Sequence, residues 1–380
     1  MDAKYLANKY NTPLCVYDFD CFSEKYTQIK AAFKARKSLV VYLLKENSNL
    51  SIVKHFAMQG CGAGCASLCE VKKAIRSGIK PYKIIFFARS NKEEELKKII
   101  NLDLLYVGLE NGEDFLKLER IAKLLQKKVR ISIKVDLGEP ERSCNGKNGI
   151  DLQEAKKIYL KAKNSEFLEP VGISFSQPDD FLNTGIFKNL VKKTADLVKG
   201  LRAVEIDVKF FDVGSELGVD FIKEKSVDLY KYAQDILKSI GGQDLTIVCT
   251  PSKFLLCGGG SIISKVVFVE EAREKQTAIL DSFLLTRAVE FTLDGQKKET
   301  ILFPRSNKLE KDFKKAQKTL LPKLKKEDLL IFKFAGTCDF SKFDKDLRPI
   351  EIAIENKKDR IIQEKELCEE LIQNEEEFLF

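Results

Sequence analysis

The stretch at residues 39–55, LVVYLLKENSNLSIVKH, decides how the rest of the chain is interpreted. It begins with six mostly apolar residues and turns polar at Lys45. A short apolar run that ends at polar residues predicts a fully buried strand of a parallel sheet. Ser48 or Asn49 is a suitable N-cap for the helix that the following residues predict. Lys45 is therefore expected where a buried strand reaches its C-terminal end.

The position predicted for Lys45 is one where chemistry occurs in α/β barrels, because the C-terminal ends of the strands carry the active site. A lysine that is partly desolvated there can lose its proton and attack a carbonyl group. The other interpretation is a loop lysine that stays in solvent, as most lysines do. The spacing of the residues around Lys45 leaves both interpretations open.

Strand-like and helix-like runs alternate through the first two thirds of the chain. A first strand is predicted at residues 13–18 and a helix at residues 21–36. Eight further strands follow, each separated from the next by a helical or polar connection, at residues 39–44, 62–66, 83–88, 104–107, 129–135, 171–175, 208–213 and 245–250. Eight such units favour a closed parallel barrel. An open doubly wound sheet is the alternative on this pattern alone.

The pattern changes after Pro251. Strands without long helices between them are predicted at residues 262–269, 277–284, 290–293, 299–303, 328–334 and 349–354. A charged helix-like insert is predicted at residues 308–320, and the tail is acidic. The predicted domains are an N-terminal strand at residues 1–20 that belongs to the β domain, a barrel at residues 21–257 and a β domain at residues 258–380.

Composition excludes several classes of function. The 380 residues carry a net charge of +8 that is spread along the chain, so nucleic-acid binding is not expected. Cys61, Cys65 and Cys69 do not have the C-x-x-C spacing of metal sites, and His55 is the single histidine, so no metal site is predicted. Without a signal peptide or a long apolar run, no membrane association is expected, and we predict a cytoplasmic protein with reduced cysteines.

Residues 42–49, YLLKENSN, resemble the pyridoxal-phosphate (PLP) lysine motif Tyr-Ala-x-Lys-Ala-Asn of the diaminopimelate decarboxylase family. The family belongs to the fold-type III PLP enzymes, and the resemblance extends over most of the chain. It is strong in the scaffold segments at residues 12–19, 130–134, 210–214 and 348–349. It implies a (β/α)8 alanine-racemase-like barrel plus a C-terminal all-β domain that includes the N-terminal strand. It also implies PLP as cofactor, Lys45 as the residue that forms the Schiff base, and a homodimer.

The resemblance identifies five candidate cofactor-binding positions, and most of them depart from the family pattern; they are Ser176, Gly214, Ser215, Thr250 and Lys253. Ser176 stands where the family has its ring-stacking histidine, and a hydroxymethyl group has no π face. Gly214, Ser215 and Glu216 stand where the family has three glycines whose N–H groups reach the phosphate. A carboxylate at residue 216 near a phosphate would be repulsive by about 4 kcal/mol at ~4 Å and an effective dielectric of ~20.

The end of the eighth barrel strand differs as well. Thr250 stands where the family has the glutamate of Glu-Pro-Gly-Arg, and Lys253 replaces the arginine. Threonine cannot be the anionic partner of a pyridinium, and lysine lacks the bidentate fork of arginine. In the β domain, Ser306 and Asn307 replace the cysteine and glutamate that the partner subunit donates, and Thr337 replaces a tyrosine that contacts the cofactor.

The first two barrel strands also combine matches and departures. Ser67 and Glu70 match the family pattern after the second strand, and Glu70 could equally face solvent or form a helix pair. Gly64 stands where the family has aspartate, and Leu43 and Glu46 stand where it has alanine. The scaffold is therefore kept, while much of the site is changed.

Three hypotheses follow. The first is a catalytically impaired or inactive derivative, a pseudoenzyme that keeps the Schiff-base lysine, binds a small amino acid and forms a homodimer or a heterodimer with an active paralogue. The second is an active PLP-dependent decarboxylase of diaminopimelate or a related amino acid, in lysine biosynthesis. The third is a barrel enzyme without PLP that uses Lys45, Asp179, Glu216 or Lys253.

Overall fold

Strands and helices alternate along the chain in a computed structural model. It describes residues 2–89, 91–138, 149–175, 184–214, 219–220, 225–226, 228–273, 275–282, 288–291, 296–305, 316–337, 348–367, 369–370 and 372. The helices are α1 (Ala3–Tyr10), α2 (Phe19–Ala32), α3 (Leu50–Met58), α4 (Leu68–Arg76), α5 (Glu93–Ile100), α6 (Gly112–Leu124), α7 (Leu152–Lys163), α8 (Thr184–Ala203), α9 (Leu229–Ile240) and α10 (Ser252–Leu256).

The strands are described in two sets, one in the first two thirds of the chain and one after it. The first set is β1 (Leu14–Asp18), β2 (Ser38–Leu43), β3 (Gly62–Cys65), β4 (Ile84–Phe87), β5 (Tyr106–Leu109), β6 (Val129–Asp136), β7 (Ile150–Asp151), β8 (Leu168–Phe175), β9 (Phe210–Asp212), β10 (Val219–Asp220), β11 (Lys225–Ser226) and β12 (Thr246–Cys249). The later set is β13 (Gly260–Ala272), β14 (Lys275–Leu280), β15 (Ala288–Phe291), β16 (Lys298–Phe303), β17 (Gln317–Leu321), β18 (Leu329–Lys333), β19 (Ile350–Glu355) and β20 (Lys358–Gln363).

Eight parallel strands close into a barrel, which confirms the predicted fold class. Their order is β2, β3, β4, β5, β6, β8, β9 and β12, and β12 pairs with β2 to complete the ring. Each strand overlaps the run that the apolar pattern predicts. The crossover helices run between consecutive strands, as parallel pairing requires. The alternative of an open doubly wound sheet is therefore wrong.

The interior of the barrel is apolar and tightly packed. Val41, Leu43, Ile85, Tyr106 and Val248 belong to one buried cluster that several strands share. Strand β3 supplies small residues to this packing. A Cβ atom at residue 64 would lie 2.4 Å from Cδ2 of Leu43, so the Leu43 side chain fills the space that a larger residue at position 64 would need.

The described residues divide into two compact units, which are residues 23–255 with the barrel and residues 2–22 with 256–372. The second unit contains a sheet in which β1 pairs antiparallel with β13 and parallel with β19. The sheet continues through β14, β16 and β17 on one side and β20 on the other, while β18 pairs with β13 and β15. The N-terminal strand therefore belongs to the β domain, as the fold class predicts.

Some local predictions are wrong. Residues 317–320, predicted as the end of a helical insert, lie in β17, because this strand completes its backbone hydrogen bonds against β16. Helix α1 was not expected, and it forms because Ala3 and Leu6 bury their side chains against Leu14 and Val16. Strand β20, a hairpin partner of β19, was also not expected.

Two expectations concern membranes and cysteines. Among the described helices, none combines the length and the apolar character that crossing a bilayer needs. The described cysteines are free thiols, and they are Cys15, Cys21, Cys61, Cys65, Cys69, Cys249 and Cys257. In the described part of the chain, no group of three or more His, Cys, Asp or Glu side chains could hold a metal ion.

Candidate active site

A cavity of about 440 Å³ lies at the C-terminal ends of the barrel strands. We call it the barrel cavity, and its volume is in the range of small-molecule sites. Its lining combines aromatic side chains with charged ones, and the lining residues are Leu43, Lys45, Ala66, Phe87, Arg89, Glu110, Lys134, Ser174, Phe175, Asp212, Gly214 and Thr250. Three residues predicted from the sequence, Lys45, Gly214 and Thr250, therefore meet in one cavity.

Lys45 follows β2 in a turn that buried contacts hold in place. The hydroxyl of Tyr42 donates to the carbonyl of Asn47 at 2.8 Å, and Asn49 caps α3 by accepting from the N–H of Ser51 at 2.9 Å. Asn49, rather than Ser48, is thus the N-cap. The Lys45 side chain is 58% exposed, and its Nζ lies 3.9 Å from Oε1 of Glu46. The side chain is therefore largely exposed where it lines the cavity.

The departures at Leu43 and Gly64 compensate for each other. Leu43 is buried, and its Cδ2 occupies the space that a side chain at residue 64 would need. A larger residue on β2 is thus paired with a smaller one on β3. Leu43 therefore fills the space beside Gly64 and lines the barrel cavity.

Three charged residues come from three adjacent strand ends. The Arg89 Nη1 lies 3.5 Å from Oε2 of Glu110, and the Lys134 Nζ lies 3.2 Å from Oε1 of the same carboxylate. Phe87 pairs with Gly108, so Arg89 and Glu110 stand two residues further along β4 and β5, at the same level of the barrel. The carboxylate of Glu110 therefore holds two cations at one side of the cavity.

Asp212 is a buried carboxyl group in the same lining. Its Oδ2 accepts from the hydroxyl of Tyr106 at 3.2 Å, and its Oδ1 accepts from the N–H of Gly214 at 2.8 Å. Burial raises the pKa of Asp212 from 3.8 to about 6, although both hydrogen bonds and nearby Lys134 favour the ionised form. Asp212 can therefore gain or lose a proton close to neutral pH.

Thr250 and Gly214 are linked through their backbones. The N–H of Thr250 donates to the carbonyl of Gly214 at 3.1 Å, and the N–H of Gly214 is engaged by Asp212. Thr250 is buried and lines the cavity, so a neutral residue stands at this strand end. Ser252 accepts from the N–H of Leu43 at 2.7 Å and ties the end of β12 to β2.

The other sequence candidates do not line the cavity or lie outside the described residues. Lys253 is half-buried on α10 and is not among the lining residues. Glu70 caps α4 instead of facing the cavity, because its Oε2 accepts from the N–H of Ala66 at 2.7 Å and its own N–H donates to Ser67. Outside the described residues lie Ser176, Asp179, Asp180, Ser215, Glu216, Ser306 and Asn307.

Sequence reasoning missed Arg89 and Glu110 and treated Lys134 and Asp212 only as scaffold. The available signal was that each charged residue ends or follows a buried strand. A systematic search of every barrel strand end would have found them, since these ends meet at one face.

The residues present fit PLP in two respects and differ in a third. Lys45 offers an accessible amine, and the cavity has a suitable volume. At the end of β12, where the resemblance expects a carboxylate for the ring nitrogen, Thr250 offers a hydroxyl. Lys45 would hold the cofactor, and Thr250, which lines the same cavity, would supply no charge to it.

Comparisons with known proteins identify the family. The family described as pyridoxal-dependent decarboxylase, pyridoxal binding domain, matches residues 20–256. The diaminopimelate decarboxylase of Campylobacter jejuni is 35% identical over the whole of both chains, and that of Helicobacter pylori is 32% identical over 98% of each. A crystal structure of the Helicobacter pylori enzyme complexed with L-lysine superimposes with a TM-score of 0.90 at 32% identity and covers all of both chains. The chain therefore belongs to the pyridoxal-dependent decarboxylase family, which uses PLP and includes the diaminopimelate decarboxylases.

Proposed function

We propose that the chain is a diaminopimelate decarboxylase homologue that binds PLP through Lys45 and has lost most of its decarboxylase activity. The observation that carries the proposal is the contrast between two strand ends. Lys45 is accessible in the barrel cavity, whereas buried Thr250 offers a neutral hydroxyl where the family has a carboxylate.

The residues of the cavity divide into those that bind and those that would have to assist the reaction. When bound, PLP supplies the electron sink that decarboxylation needs. Lys45 holds the group, and Phe87 and Phe175 provide apolar walls that restrict water. The Thr250 hydroxyl can form a hydrogen bond with a ring nitrogen, but it cannot stabilise a positive charge there. Exchanging a charged partner for a neutral one costs roughly 1.5–3 kcal/mol, which lowers a rate by about ten- to a hundredfold.

A second proposal is an active decarboxylase of diaminopimelate or a related amino acid. It is favoured by identities of 32–37% to proteins that carry this name. Asp212 is also a carboxyl group in the cavity with a pKa of about 6, suited to holding or releasing a proton.

An absorbance titration of the purified protein with PLP tests the first proposal. We expect a visible band in the wild-type protein that is missing in Lys45→Ala. The matched control is Lys37→Ala, which changes a 74% exposed lysine just before β2, at the end of the strand opposite Lys45. A folded wild-type protein without a band would refute cofactor binding.

Carbon dioxide release from diaminopimelate, lysine and ornithine then separates the two proposals. We expect rates about ten- to a hundredfold below those of the Campylobacter jejuni enzyme assayed in parallel. Comparable rates would refute the loss of activity and support the second proposal. The homodimer, the heterodimer with an active paralogue and the cytoplasmic location stay predictions, and light scattering of the purified chain tests the first of them.

A further inference from the structure

We propose that Arg89 selects amino acids with a carboxylate at their far end by binding that carboxylate in the barrel cavity. The inference rests on the proposed function, because the near end of the amino acid must be held at the Lys45 side. It concerns a residue for which the family resemblance gives no role.

The guanidinium of Arg89 is available for a ligand. Its side chain is 65% exposed, and the contact of Nη1 with Oε2 of Glu110 is long, at 3.5 Å. A guanidinium has five N–H donors in a planar fork that matches a carboxylate. The contact with Glu110 engages one of these donors, so the geometry leaves the fork able to receive a second carboxylate.

Glu110 orients Arg89, and its single negative charge does not neutralise the two positive charges of Arg89 and Lys134. Its carboxylate is only 17% exposed and is shared with Lys134 at 3.2 Å. One carboxylate between two cations holds both side chains toward the cavity. A ligand carboxylate would therefore join an arranged group of charges, which lowers the ordering cost of binding.

The backbone that carries Arg89 is also held in place. The N–H of Ala88 donates to the carbonyl of Gly108 at 3.1 Å. Two residues after Arg89, buried Asn91 donates from its side chain to the carbonyl of Ala66 at 3.0 Å. These contacts fix the strand end to its two neighbouring strands, so the position of the guanidinium is defined by the barrel.

The spacing of the barrel suits a ligand that extends from Lys45 to Arg89. The two residues follow β2 and β4, which are separated by β3. Two strand spacings place their backbones about 10 Å apart. A seven-carbon chain spans roughly 7.5 Å when extended, given bonds of ~1.5 Å. Diaminopimelate is such a chain with a carboxylate at both ends, whereas lysine lacks the far carboxylate.

Calorimetric binding of these two amino acids to the PLP-treated protein tests the inference. We expect the wild-type protein to bind diaminopimelate at least about tenfold more tightly than lysine, as for a charge-assisted contact. Arg89→Gln should remove this preference while changing the Kd for lysine less than twofold. Arg89→Lys, which keeps the charge and loses the fork, should show an intermediate preference.

Arg120→Gln is the matched control. Arg120 is 67% exposed and pairs with Glu93 at 2.7 Å, so it resembles Arg89 in exposure and partner but lies on α6, outside the cavity lining. The preference should be unchanged in this variant. A loss of equal size would show that any exposed arginine contributes, and it would overturn the inference.

Binding of inorganic phosphate tests the alternative that Arg89 binds the cofactor phosphate, since that phosphate is also an oxyanion. If Arg89→Gln weakens binding of phosphate and PLP but leaves the preference between the amino acids unchanged, Arg89 serves the cofactor and the inference is wrong. Equal binding of both amino acids, or binding of neither, by the wild-type protein also overturns it. The Lys45-dependent absorbance band is measured separately. Its absence would show that the proposed PLP binding fails, whereas a band without a preference between the amino acids would show that the inference about Arg89 fails.

Discussion

Replacing Asp212 by asparagine tests the protonation chemistry of the barrel cavity. Asp212 is 6% exposed and accepts hydrogen bonds from Tyr106 and Gly214. Burial raises its pKa from the ordinary 3.8 to about 6 in the folded protein. Asparagine has nearly the same shape and no charge at any pH, so the variant removes the titration and keeps the volume.

The magnitude follows from the difference between the two pKa values of Asp212. At 1.36 kcal/mol per pKa unit, the difference between 3.8 and about 6 corresponds to about 3 kcal/mol. Because the folded pKa is the higher one, the folded chain binds more protons than the unfolded chain between these pH values. The free energy of unfolding therefore falls as pH rises through this window. The stabilisation from proton binding to Asp212 is fully present below pH 3.8 and is lost above about pH 6.

Urea unfolding followed by circular dichroism measures this effect at a series of pH values. We expect the stability of Asp212→Asn relative to wild type to increase by about 2.5 kcal/mol between pH 4 and pH 8. The control is Asp196→Asn on α8, where the carboxylate is 55% exposed and the relative stability should change little with pH. Parallel curves for wild type and Asp212→Asn would refute a buried carboxyl group that titrates near pH 6.

Two further predictions concern packing and thiol reactivity. Gly172→Ala should destabilise the protein by about 1–3 kcal/mol, because the new Cβ would lie 2.7 Å from Oγ of Ser132. Gly200→Ala should stabilise the protein by about 0.5–1 kcal/mol, because Gly200 lies in helix α8 and the new Cβ would have no atom within 4 Å. Thermal unfolding of both variants measures this difference, and equal shifts would contradict it. Cys69 is exposed and should react with iodoacetamide well before Cys61, whose pKa burial raises to about 12, as mass spectrometry of the native protein would show. Simultaneous labelling of both thiols would contradict the buried position of Cys61.

The parallel barrel was predictable because its signal is local. Each barrel strand is a short apolar run with a polar end, and burial on both faces makes that pattern recur at every strand. The Lys45 turn was predictable for the same reason, since strand, turn and N-cap lie within about ten residues. Gln317–Leu321 was mispredicted because its strand state depends on pairing with β16, which lies elsewhere in the sequence.

The sequence by itself therefore determined the barrel, the family and the position of Lys45 at a strand end. Only the tertiary structure decided that Arg89, Glu110 and Asp212 share a cavity with that lysine. These residues come from different strands, and the register of the parallel sheet, which no local spacing records, brings them to one level. Burial of the Asp212 carboxyl group, and with it the raised pKa, likewise exists only after the strands have closed into a ring.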